Sequence, residues 1–222
     1  MLRCKYKMAY RTIPLITEEI YHLYNCGVEK RNIFLNKRDC RRFLETVKFY
    51  QYKDTPAKFS QFITPPGWKN QGANLVKIIC YCFMPNHFHI IAKQTIDKGI
   101  SIFMSRLENS YTKYFNTKNK RVGHLFQGAF KAVRIENDEQ LIHVSRYIHL
   151  NPFVAELVGY LENYEWSSYL EYISNHKDEI CQKDIILSFF KSVEEYKKFV
   201  VDHADYARSI EKIKHLTSNF NL

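Results

Sequence analysis

Two histidines stand two residues apart, His87 and His89, with Phe88 between them. On an extended strand alternate side chains share a face, so both imidazoles point one way and Phe88 points the other. Two imidazoles so placed can grip one divalent cation, although by residue type alone the pair equally fits polar groups at a strand end. A second group lies in Tyr147-Ile-His-Leu-Asn-Pro152. On a helix Asn151 falls at i+4 from Tyr147, which puts a phenol and an amide oxygen on one face. A phenol, with an ordinary pKa of about 10, is a nucleophile only when a metal or base assists it. The Asn151 amide oxygen is a candidate third metal ligand. The same residues also fit a packed aromatic at Tyr147 and a helix C-cap at Asn151 before Pro152. His149, two residues from Tyr147, points nearly away on a helix and is not counted as a ligand.

These groups need elements to position them. Ile20 to Asn25 alternates β-branched and aromatic residues and reads as a strand ended by Cys26-Gly27. Lys37 to Tyr50 carries an apolar stripe at Phe43, Val47 and Tyr50, a helical pattern. Gln51 to Asn74 holds Pro56, Pro65, Pro66, Gly67 and Gly72 and reads as a long loop, with a short strand at Lys58 to Ile63. Leu75 to Met84 and His87 to Lys93 read as antiparallel strands with a tight junction at Pro85-Asn86. Ile100 to Phe115 is a helix and Leu125 to Ile135 another strand. Asn137 or Asp138 caps a helix from about Glu139 to Leu150, and Pro152 limits its extension. Beyond Tyr160 short helices follow, at Asp184 to Phe190 and Val193 to Asp202. Strand, helix, strand, strand, helix, strand is a split β-α-β layout. It implies an α+β antiparallel sheet with helices packed on one face.

The chain has 222 residues, 45% of them hydrophobic, enough for one sizeable core. No apolar run approaches the ~20 residues of a membrane span. Arg3, Lys5 and Lys7 have no apolar core behind them, so a cytoplasmic protein without a secretory signal is expected. The six cysteines, at 4, 26, 40, 80, 82 and 181, form no Cys-x-x-Cys pair and read as structural thiols. A net charge of +10 favours an acidic partner. Basic residues gather at Arg106, Lys113, Lys118, Lys120, Arg121, Lys131, Arg134 and Arg146, interleaved with Tyr111, Tyr114, Phe115, Phe126 and Phe130. That mixture can follow a phosphate backbone and stack unpaired bases, and it equally describes a solvated face over an aromatic core.

The stretch Tyr81-Cys-Phe-Met-Pro-Asn-His-Phe-His-Ile-Ile91 resembles the histidine-hydrophobe-histidine motif of single-tyrosine HUH transposases. The chain is similar in particular to the REP-associated tyrosine transposases. Tyr21-His-Leu-Tyr-Asn-Cys-Gly27, Tyr111-Thr-Lys-Tyr-Phe-Asn116, Gly123-His-Leu-Phe-Gln127, Tyr147-Ile-His-Leu-Asn-Pro152 and Trp166-Ser-Ser-Tyr169 fall in the family's order, over about residues 15 to 170. The resemblance implies a ferredoxin-like catalytic domain at 1–172, followed by a helical extension at 173–222. It implies Mg²⁺ or Mn²⁺ on His87, His89 and Asn151, with Tyr147 as the nucleophile. Tyr111 and Tyr114 compete for that role, but their i+4 positions are Phe115 and Lys118, which offer no ligand oxygen. The implied substrate is single-stranded or hairpin DNA, and the implied assembly a monomer or homodimer. Two positions depart from the pattern: Gly128-Ala129 stand where an arginine is expected, and Cys26 where a basic residue is expected.

Other classes compete. A relative that binds hairpins without cutting is the main alternative, and Ala129 leaves room for it. A histidine-triad nucleotide hydrolase wants a third alternating histidine, where this chain has Ile91. A zinc-stabilised module wants paired cysteines.

Overall fold

The computed structural model describes residues 14–55, 58–61, 72–174 and 180–204. Four strands form one antiparallel sheet: β1 (Ile20–Cys26), β2 (Val76–Met84), β3 (His87–Gln94) and β4 (Lys131–Ile135), in the order β2-β3-β1-β4. With helices α1 (Lys37–Tyr50) after β1 and α2 (Gly99–Lys118) after β3, this is the expected α+β, ferredoxin-like arrangement. Alternation decides the two faces. Tyr21, Leu23 and Asn25 of β1 are buried on one side, while His22 and Tyr24 turn to the other.

Helices α1 and α2 cover the Phe88 side. The Phe43 ring lies 5.1 Å from Phe88 and 4.9 Å from Tyr111, whose hydroxyl donates to the Ile33 carbonyl. Asn36 caps α1 by accepting from the Asp39 N–H. Gly99 opens α2 because a Cβ there would stand 2.2 Å from the Leu75 carbonyl oxygen. The helices are not confined to this side. Helix α3 (Asp138–Val154) lies over the opposite face, where His149 meets Cys80. Both surfaces of the central strands are apolar enough to require a cover.

Three further differences from the sequence reading have local causes. The strand expected over Leu125 to Ile135 is confined to Lys131–Ile135. Gly128 adopts φ +72°, a left-handed turn that breaks the extension, and Phe126 makes only an isolated bridge to Gly27. Pro152 does not end α3, which runs on to Val154. A proline in the last turn forfeits one hydrogen bond, and this one is buried. Within the short strand expected at Lys58 to Ile63, Phe59–Gln61 is a 3₁₀ turn. Residues 62 and 63 lie outside the described residues, as do Pro56, Pro65, Pro66, Gly67, Cys4 and the N-terminal basic residues.

The outer edge of β2 is closed by the Trp166-Ser-Ser-Tyr169 motif. The Phe83 N–H donates to Trp166 O, and the Ser168 N–H donates to Tyr81 O, both at 2.9 Å. An open edge would invite pairing with another chain. From there α4 (Tyr169–Ile173), α5 (Asp184–Leu187) and α6 (Val193–Val201) follow. Helix α6 docks on α3 through Tyr196, whose hydroxyl meets His149 Nδ1 at 2.7 Å. Cys40, Cys80, Cys82 and Cys181 are buried free thiols. No helix among the described residues is long and apolar enough to cross a membrane.

Candidate active site

The histidine pair sits at the start of β3, just after the Pro85-Asn86 turn. His87 and His89 share a face, with ring centroids 4.9 Å apart, and Phe88 is buried on the other side. Strand pairing brings β1 alongside, with Tyr24 opposite His89 and His22 opposite Ile91. The His22 ring lies 5.0 Å from His89, and its Nε2 is 2.8 Å from His89 Nδ1. Tyr24 completes an aromatic ledge 5.9 Å from His89. Helix α3 then places the Tyr147 ring 5.8 Å from His89, edge to face, and that side chain is 54% exposed. A half-exposed tyrosine ring beside His89, with His87 next along the same face, is an arrangement a group-transfer site can use.

Burial lowers the pKa of all three histidines: His22 to about 4, His87 below its ordinary value, and His89 far below it, with His22 and His87 adding repulsion. All three are therefore neutral at pH 7, the form that ligates metals. His87 Nδ1 lies 2.6 Å from Asn86 Oδ1. An amide oxygen only accepts, so Nδ1 carries the proton and Nε2 keeps a lone pair. The donor set fits a divalent cation. Among the described residues no group of three His, Cys, Asp or Glu side chains could hold one, so further donors must be of another kind. Asn151, one turn after Tyr147, donates its amide N–H to the Tyr147 carbonyl at 3.2 Å, which leaves its Oδ1 as an acceptor. His149 faces the other way, as its position on the helix implied. It is fully buried between Cys80, Ser168 and Tyr196, and burial holds its pKa at about 3.

The basic residues divide. Arg106, Lys113 and Lys118 line a groove of about 960 Å³ between the outer sides of α1 and α2. Sequence reasoning missed their partners there: Arg38, Arg41, Arg42 and Lys58. The first three recur at i, i+3 and i+4, the exposed counterpart of the Phe43/Val47 stripe, and that spacing was the available signal. Arg42 stacks 4.0 Å over Phe59, and its Nε is buried with no hydrogen-bond partner among the described residues. Lys118 is paired with buried Asp39, and Glu45 is the acid on the groove wall. Lys131 lies instead on the histidine side, 5.8 Å over the Tyr24 ring. Arg134 pairs with Glu19, and Arg121 bonds back to the Asn116 side chain and the His124 carbonyl. Arg146 stacks on Phe199 of α6, and Lys120 is exposed after α2. Gly128-Ala129 supply no cation of their own ahead of β4, whose first residue is Lys131, and Cys26, opposite His87, bonds to Gln127.

Residues 68–151 match the family model of IS200-like transposases, a span that contains His87, His89, Tyr147 and Asn151. A solved structure of a REP-associated tyrosine transposase bound to a REP hairpin aligns over 77% of this chain and 88% of that one. Its identity is 18% and its TM-score 0.51, which shows the fold. The tRNA(His) guanylyltransferase of Saccharomyces cerevisiae aligns over 87% of this chain and 75% of its own, at 11% identity and a TM-score of 0.39, too low to bear on the fold. Comparison with curated proteins finds no match. The resemblance expected from the ordered motifs is met by the IS200-like family over 68–151 and by the fold.

Proposed function

We propose that the protein is a transposase of the IS200-like kind: a metal-dependent, single-stranded DNA endonuclease and strand-transferase. Cleavage passes through a 5′-phosphotyrosine on Tyr147. The observation that carries this is the placement of an exposed tyrosine ring 5.8 Å from the second of two co-facial histidines, inside the family-matched segment.

His87 and His89, with the amide oxygen of Asn151, would hold Mg²⁺ or Mn²⁺. When bound, such a cation supplies Lewis acidity to the scissile phosphate. The Tyr147 oxygen attacks phosphorus in line, and its proton passes to solvent. The bond from phosphorus to the 3′-oxygen breaks, and that oxygen takes up a proton and leaves as a free 3′-hydroxyl. The 5′-phosphate stays on Tyr147. Attack by another 3′-hydroxyl reverses the step and joins strands, and one phosphodiester energy is conserved throughout. Tyr147 belongs to a helix that buried His149 ties to Ser168 and Tyr196, which sets Tyr147 on the face beside His89.

Hairpin-containing DNA is the proposed substrate, by analogy with the hairpin held by the similar structure. The cations of the α1–α2 groove suit a phosphate backbone. Lys131 beside Tyr24 suits an unpaired strand led toward Tyr147, with Tyr24 available for stacking. The second reading, hairpin binding without cleavage, is favoured by one observation: Gly128-Ala129 stand where the family pattern has an arginine.

One experiment separates the two. A hairpin oligonucleotide is incubated with the protein and Mn²⁺ and run on a denaturing gel. An adduct that is lost in Tyr147→Phe supports cleavage through Tyr147. An adduct unchanged in that variant, or binding with no adduct at all, sinks it. Tyr147 is exposed enough for the variant to fold.

A further inference from the structure

His22 belongs to no part of the chemistry above, yet it makes a short contact with one of the proposed ligands. Its Nε2 lies 2.8 Å from His89 Nδ1, at the distance of a hydrogen bond between two ring nitrogens. Such a bond holds only if one of the two nitrogens carries the proton. Two arrangements are possible, and they have opposite consequences. If His22 carries it, the neutral His89 ring must place its own proton on Nε2, and no lone pair remains for a cation. If His89 carries it on Nδ1, its Nε2 lone pair is exposed for ligation.

The neighbouring histidine resolves the choice. Asn86 Oδ1 accepts from His87 Nδ1 at 2.6 Å, and the Asn86 amide N–H in turn donates toward the Lys30 carbonyl, which fixes the orientation of that amide. His87 is therefore an Nδ1–H tautomer with Nε2 as the ligating atom. Two imidazoles from alternate positions of one strand bind one ion most simply through equivalent nitrogens. We propose that His22 is a positioning residue: as a hydrogen-bond acceptor it holds His89 in the Nδ1–H tautomer and so aims its Nε2 lone pair at the site.

This rests on the metal-dependent reading above and goes beyond it. Metal-bound histidines usually donate their second ring N–H to a carboxylate, a backbone carbonyl or water. A neutral imidazole in that place differs in one useful respect. It orients the ligand without adding negative charge to a face that must accept a phosphodiester. Its position is rigid, because His22 sits within β1, hydrogen-bonded to β3 on one side and β4 on the other. His22 is not needed as a ligand itself, since its Nε2 is already engaged by His89.

Two variants and two readouts test this. His22→Phe keeps the ring volume and removes the acceptor; His22→Gln keeps an acceptor at a similar reach. In the metal-free protein, ¹⁵N-labelled histidine spectra should show His89 as the Nδ1–H tautomer. That state should be lost in His22→Phe and kept in His22→Gln. Mn²⁺ affinity by calorimetry should fall roughly 10- to 100-fold in His22→Phe and recover in His22→Gln. Thermal midpoints check that both variants fold. His89 found as the Nε2–H tautomer in the unaltered protein overturns the proposal, as does undiminished Mn²⁺ affinity in His22→Phe. A Gln variant as weak as the Phe variant overturns it too, because an acceptor in that place would then not restore the site. Failure of the metal reading looks different: an unaltered protein with the Nδ1–H tautomer in place that does not bind Mn²⁺.

Discussion

On the His89 side of the sheet stand imidazoles that burial keeps neutral, with Tyr24, Tyr147 and the cation Lys131 around them. Beyond the Phe88 side, the outer surfaces of α1 and α2 gather guanidinium and ammonium groups around one groove. One surface carries mainly neutral rings and little fixed charge. The other is strongly cationic. The separation follows from strand alternation: β1 and β3 send His22, His89 and Tyr24 one way and Leu23 and Phe88 the other. If the two surfaces do different work, damage to one should leave the other's function standing.

The largest expected effect is at the histidines. His89→Ala should lower adduct formation by at least about 100-fold, the scale of losing a ligand or its support, while hairpin affinity measured without metal stays within about twofold. Equal losses in both would break the division. A smaller effect is expected from the groove. Replacing Arg41, Arg106 and Lys113 together with Gln should weaken hairpin binding and flatten the salt dependence, with the slope of log affinity against log salt falling by about 3. The adduct rate at saturating DNA should stay unchanged. A lower saturating rate with an unaltered salt slope would contradict the assignment of the groove to phosphate contacts.

The smallest effect concerns stability beneath α2, on the Phe88 side of the sheet. Burial raises the Glu108 carboxyl to about pKa 7, against the hydrogen bond from Asn25 that lowers it. The folded protein thus keeps a proton that the unfolded chain releases near pH 4.5. Stability from this group is complete below about pH 4.5 and is lost as pH rises through 7, by up to about 3 kcal/mol. Glu108→Gln should match the unaltered protein in urea near pH 4.5 and exceed it at pH 8. A variant that is less stable at pH 8 would show that the ionised carboxylate is tolerated there.

Much of this division was legible before the fold was known. The spacing of His87 and His89 made them co-facial on any strand, and the i+4 step placed Asn151 beside Tyr147 on any helix. The split β-α-β order gave the sheet. His22 could not be found the same way. Its neighbour is 67 residues away, and only the β1–β3 register brings them together. Arg38, Arg41 and Arg42 were visible as a helical stripe, but their meeting with Arg106 and Lys113 depends on how α1 and α2 pack. The end of the expected strand at Leu125 turned on the backbone of Gly128, and Pro152 stays helical at the cost of one backbone hydrogen bond, with its ring buried. The Trp166-Ser-Ser-Tyr169 motif, legible as part of the family's ordered set, closes the sheet edge through backbone bonds that its side chains do not announce.

The most direct test of the central claim is to isolate the covalent protein–DNA adduct formed with a hairpin substrate and Mn²⁺, digest both components and map the linkage by mass spectrometry. The expected linkage is a 5′-phosphate on the peptide containing Tyr147. A linkage to Tyr111, Tyr114 or any other residue, or a 3′-phosphate link, would contradict it.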